Sequence, residues 1–101
     1  MGVDLKEDPT FFDRADSFIH LANEHCDNNI GRGKVSASLM YGTARFQAWN
    51  AACWAESGAD MKAKREETVK YFVEQYKAML EENIDDYIDH YAKYMKAGGD
   101  A

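Results

Sequence analysis

The residues best suited to chemistry lie between Gly31 and Arg45. Gly31-Arg32-Gly33-Lys34 precedes Ser36 and Ser38, and no acidic residue occurs between Asn28 and Ala55. Two glycines and two cations ahead of a helix N-terminus offer free amides and positive charge to a phosphate or carboxylate. Arg32, Lys34, Ser36 and Arg45 are therefore the candidate ligand-binding residues. The spacing is not that of a P-loop, because GxxxxGK followed by Ser or Thr is missing and no strand precedes it. On the plainer reading, the glycines make a turn and both cations stay in solvent. Arg45 sits mid-way along an alanine-rich segment, where its guanidinium calls for a partner. Glu81, Glu82, Asp85, Asp86 and Asp89 form an acidic stretch with no base, whose like charges weaken their own helix unless paired. A salt bridge from Arg45 to this stretch, within the chain or across a dimer, answers both needs.

Other constellations are weaker. Asp16, His20 and Glu24 stand four apart, as do Glu82, Asp86 and His90. Helical bundles can hold metals with such spacing, but the Glu-x-x-His pairs of di-iron sites are absent. No metal site and no cofactor are expected. His25 and Cys26 are adjacent, so their side chains diverge on a helix and cannot act as base and nucleophile. No catalytic residue is assigned, and the chain does not read as an enzyme. Tyr71, Tyr76, Tyr87, Tyr91 and Tyr94 repeat at helical intervals, which makes them packing residues before they are a stacking surface.

Three helices are expected to position these residues, giving an all-α fold. Asp8-Pro9 announces the first, with a stripe of Phe11, Ala15, Phe18 and Ala22 flanked by Phe12 and Ile19. Asp27-Asn28-Asn29 and Gly31-Arg32-Gly33 read as the following loop. The second helix is expected from near Ser36 to Ser57, closed by Gly58. Ala37, Ala44, Ala48, Ala51 and Ala55 line one side of it, while Leu39, Met40, Phe46, Trp49, Cys53 and Trp54 cover others. Apolar residues around most of the circumference predict a central helix buried from several sides. The third runs from Ala59-Asp60 to Gly98-Gly99. Val69, Leu80 and Tyr91, then Val73, Ile84 and Met95, then Tyr76 and Tyr87, recur at intervals of eleven, near the natural helical period. Glu66 with Lys70 and Asp89 with Lys93 are the expected pairs. Asp60 to Lys96 at about 1.5 Å per residue is a rod of roughly 55 Å. A compact chain of this length has a radius of gyration of about 13 Å. Either the rod bends near Asn83 or another subunit covers its end, and the unbroken phase of the stripe favours the second.

Composition bounds the class. The chain has 101 residues, 46% hydrophobic, which suits one folded domain over residues 1–101 with flexible ends at 1–8 and 98–101. The start lacks the basic and apolar segments of a signal peptide, and no eighteen apolar residues run together. A net charge of −6 opposes binding to nucleic acid or to an anionic membrane surface. Cys26 and Cys53 have neither CxxC nor zinc spacing and read as buried, reduced thiols in a cytoplasmic protein.

The stretches ADSFIHLAN (15–23), RGKVSASLMYGTARF (32–46) and YFVEQYKAMLEENIDDYI (71–88) resemble a family of short bacterial, mainly proteobacterial, proteins. That family is a domain of unknown function, so the resemblance implies a bacterial cytosolic origin and no site residue. The expectation is a homo-oligomeric protein-interaction module, most simply a dimer, partnered by itself or by another protein. A small anionic-ligand binder using residues 31–38 is the alternative, and a metal-dependent helical enzyme a more distant one.

Overall fold

The helical periodicity of the sequence is realised in every regular element of the computed structural model, which describes residues 7–27 and 29–96. Five helices follow one another: α1 (Phe11–His25), α2 (Arg32–Trp54), α3 (Gly58–Ala63), α4 (Arg65–Asp89) and α5 (Tyr91–Lys96). No strand occurs among the described residues. The fold divides into two units whose boundary falls between Phe46 and Gln47, within α2. The expected flexible ends lie outside the described residues apart from Glu7 and Asp8, as does the Gly98-Gly99 helix end.

In the first unit, α1 begins later than the Asp8-Pro9 signal suggests. The Asp8 carboxylate is taken by the Arg14 guanidinium, and its carbonyl accepts the Phe11 N–H at 3.2 Å. Thr10 becomes the N-cap residue without a side-chain capping bond, and its hydroxyl accepts from Arg14 at 3.1 Å. Phe11, Ala15 and Ala22 are half-buried, whereas Phe18 is exposed. The loop that follows is an aspartate turn. Asp27 Oδ1 accepts the N–H groups of Asn29 and Ile30 at 2.8 and 2.7 Å, and Asp27 N–H donates to the Ile30 carbonyl at 3.0 Å.

Helix α2 starts four residues before Ser36, because the Gly31 carbonyl accepts the N–H groups of Lys34 and Val35 at 3.1 and 3.2 Å. Arg32-Gly33-Lys34 is thus the first helical turn and not a loop. Val35 is the one buried hydrophobic residue among those described. The expected burial of this helix from several sides is not met among the described residues: Leu39, Met40, Tyr41, Phe46, Trp49 and Trp54 are all exposed.

In the second unit, α2 stops at Trp54, where the Ala55 N–H is shared between the Ala51 and Ala52 carbonyls at 3.2 Å each. Gly58 opens α3 and does not close α2. Ser57 is the cap: its hydroxyl accepts the Asp60 N–H at 3.0 Å, while the Asp60 carboxylate accepts the Glu56 N–H at 3.0 Å. The two bonds satisfy the Asp60 amide inside the helix and the Glu56 amide just before its cap. The single long third helix expected from the sequence is therefore three segments, parted at Lys64 and His90. At these residues ψ swings to 4° and 24°, away from helical values. Helical bonding resumes at once, Thr68 N–H to the Lys64 carbonyl and Tyr94 N–H to the His90 carbonyl, each at 3.0 Å. Helix α4 runs unbroken through Asn83, whose side-chain amide donates to the Met79 carbonyl at 2.8 Å. The ion pairs also differ from those expected: Lys70 reaches Glu74 at 4.0 Å, Lys77 reaches Glu81 at 2.9 Å, and Arg65 holds Glu66 at 2.7 Å. Each joins exposed side chains and stabilises by only about 0.2–1 kcal/mol.

Candidate functional site

The basic residues singled out by sequence are spread along α2. Arg32 and Lys34 belong to its first turn, which has no acidic residue, and Ser36 follows one turn on. Arg45 stands eleven residues beyond Lys34, about 16 Å along the axis. The four therefore do not converge on one point, although Lys34 and Arg45, three turns apart, share a face. All four are exposed, and no ion pair among the described residues includes Arg45.

A polar cluster lies elsewhere, across the break between α4 and α5. Tyr94 is half-buried, and its hydroxyl donates to the two Asp86 carboxylate oxygens at 3.3 and 3.2 Å. His90 Nδ1 lies 3.0 Å from the Asp86 carbonyl and 3.2 Å from Asp86 Oδ1. The Tyr94 ring meets Tyr87 edge-on with centroids 5.0 Å apart, and lies 5.5 Å from the His90 ring. Withdrawal from water, the hydrogen bond to Asp86 and the negative charge of Asp86 together raise the Tyr94 hydroxyl above its ordinary value of 10.0. A phenol held neutral in this way donates a hydrogen bond and fastens α5 to α4; it is not poised as a base or nucleophile. The sequence pattern Glu82, Asp86, His90 was one step out of register with this cluster. Asp86, His90 and Tyr94 continue the same four-residue spacing, which is the signal that finds it.

A second local arrangement surrounds Asp60. The Glu56 N–H and then the Lys64 ammonium, 3.2 Å away, hold the Asp60 carboxyl below its ordinary 3.8. This pair stitches α3 to the start of α4 and presents no open coordination.

Among the described residues, no three of His, Cys, Asp and Glu gather as a metal ion requires, neither at Asp16, His20 and Glu24 nor at Glu82, Asp86 and His90. Cys26 and Cys53 are free thiols, but both are exposed, which corrects the expectation of burial. Cys26 sits at the C-terminus of α1, its Sγ 3.6 Å from the Ala22 carbonyl. No helix among the described residues is long and apolar enough to cross a membrane. What the surface offers is apolar area: Trp54 is 84% exposed, Tyr41 71%, Ile88 67% and Tyr91 65%.

A family model described as a protein of unknown function (DUF3144) matches residues 11–88, from the first residue of α1 almost to the end of α4. No curated protein matches the chain, and no solved structure does.

Proposed function

The chain belongs to the DUF3144 family of proteins of unknown function, and from that premise we propose that it is a homo-oligomeric protein-interaction module. One observation carries this reading: Val35 alone is buried among the described hydrophobic residues, while large apolar side chains on α1, α2, α4 and α5 face solvent. Helices in water owe most of their stability to packing of an apolar face, because nucleation is costly and propagation gains little. Helices of 23 and 25 residues so lightly covered by their own chain need a further surface. A second copy supplies one at no cost in sequence, since the same residues then serve both sides of a two-fold contact. The free thiols and the absence of a spanning helix among the described residues suit a cytoplasmic setting.

Native mass spectrometry of protein purified without a metal-affinity step tests the proposal. An oligomer mass without adducts supports it, whereas a monomer at every concentration refutes it. A retained adduct of defined mass redirects attention to the acid-free first turn of α2.

A further inference from the structure

We infer that the self-association is specified by one contact between copies: the Tyr41–Arg45–Trp49 row of α2 packs against the Ile84–Ile88 row of α4 in a second copy, with Arg45 meeting Asp85. The inference rests on the homo-oligomeric reading above and adds the surfaces and the charge that orients them.

Tyr41, Arg45 and Trp49 follow one another at four-residue steps and so form a row along one side of α2. Tyr41 is 71% and Trp49 61% exposed, and Arg45 between them is exposed and outside every ion pair among the described residues. Tyrosine, tryptophan and arginine are the residues that dominate binding energy at protein interfaces, because each joins a large apolar area to a directional polar group. The surrounding sequence has no carboxylate from Asn29 to Ala55, so nothing on α2 itself neutralises Arg45.

Helix α4 carries the complementary surface. Ile84 is 52% and Ile88 67% exposed, and they stand one turn apart. Glu81 and Asp85 form the neighbouring row, three residues before each isoleucine. Lys77 engages Glu81 at 2.9 Å, but Asp85 is in no ion pair among the described residues. From Ala78 to Ala92 the sequence has five carboxylates and, His90 apart, no basic residue. An apolar row beside a bare carboxylate thus matches an aromatic row built around a bare guanidinium. The opposed charges select which helix of the second copy each surface accepts, and α2 against α2 or α4 against α4 sets like charges together. In a two-fold dimer the contact is made twice.

Reciprocal charge reversal tests this on the full chain. Arg45→Glu and Asp85→Lys are each made singly, and association is read by sedimentation velocity alone and in an equimolar mixture. Each single variant is expected to weaken self-association at least about tenfold, and the mixture to recover wild-type association, because each mixed dimer contains one native and one reversed pair. Wild-type association by both single variants overturns the contact while leaving homo-oligomerisation intact. Lowered melting temperatures with unchanged association, and no recovery on mixing, also overturn it, since the pair then acts within one chain. A wild-type protein that is monomeric throughout overturns the underlying reading instead.

Discussion

Replacing Leu80 by alanine separates a covered α4 stripe from an uncovered one. Leu80 lies in the middle of the eleven-residue pattern and remains 45% exposed in the single chain. Fully burying a leucine side chain stabilises by about 2 kcal/mol, so covering the remaining fraction contributes about 1 kcal/mol per subunit. Two subunits lose about 2 kcal/mol together, which raises the dissociation constant about thirtyfold. If no second copy covers Leu80, the substitution stays within about 0.5 kcal/mol, as usual for surface changes, because alanine's higher helix propensity offsets the lost local contacts. Sedimentation velocity across a dilution series measures the constant, and far-ultraviolet circular dichroism checks that helix content is preserved. An unchanged dissociation constant at unchanged helicity would refute the reasoning.

Three further outcomes follow from local geometry. Ser57→Ala removes the hydroxyl that accepts the Asp60 N–H and is expected to cost about 1 kcal/mol, with Ser57→Gly costing only a few tenths; equal denaturation midpoints for the wild type and Ser57→Ala would show that the cap contributes nothing. Because the folded Asp60 carboxyl is held below 3.8, its contribution is complete above that pH and is lost as pH falls through the folded value. Protection of the Glu56 amide against exchange, relative to its intrinsic rate, should therefore fall on acidification below about pH 4 in the wild type and not in Asp60→Asn; identical protection profiles would remove the assignment. Tyr94 is expected to ionise above ordinary tyrosine, and Asp86→Asn to move it back down, since the variant loses the carboxylate charge. Spectroscopic titration reads both, and an unmoved Tyr94 in the variant contradicts the contact.

The all-helical class was legible because apolar spacing near 3.6 residues runs through every long segment. Of the four stripe residues of α1, Phe11, Ala15 and Ala22 are half-buried as the spacing indicated, and Phe18 is exposed. Element ends were less legible, each for a physical reason. Gly31 and Gly33 suggested a loop, yet one carbonyl at Gly31 suffices to nucleate α2. Ser57-Gly58 carries two opposed signals, a closing glycine and a capping serine, and the Asp60 N–H bond to the Ser57 hydroxyl, with the Glu56 N–H bond to the Asp60 carboxylate, decides for the cap. The breaks at Lys64 and His90 involve neither proline nor glycine, only a shift of φ to −98° and −123° and of ψ to 4° and 24°, so no residue type marks them. The burial expected of α2 and of both thiols failed because apolar composition shows that a surface wants cover without showing that the same chain provides it. Of the candidate binding residues, the sequence reading set Arg32 and Lys34 in a loop ahead of the helix and Arg45 in its middle, whereas all four lie on α2 itself.

We propose that another copy of the chain covers these apolar faces. Thermal unfolding of the wild-type protein, followed by circular dichroism over about a hundredfold range of concentration, tests it most directly, since association stabilises by mass action. The melting temperature is predicted to rise with concentration, with helix content falling as the protein is diluted. A single melting temperature and a constant helix content across the whole range would contradict the account.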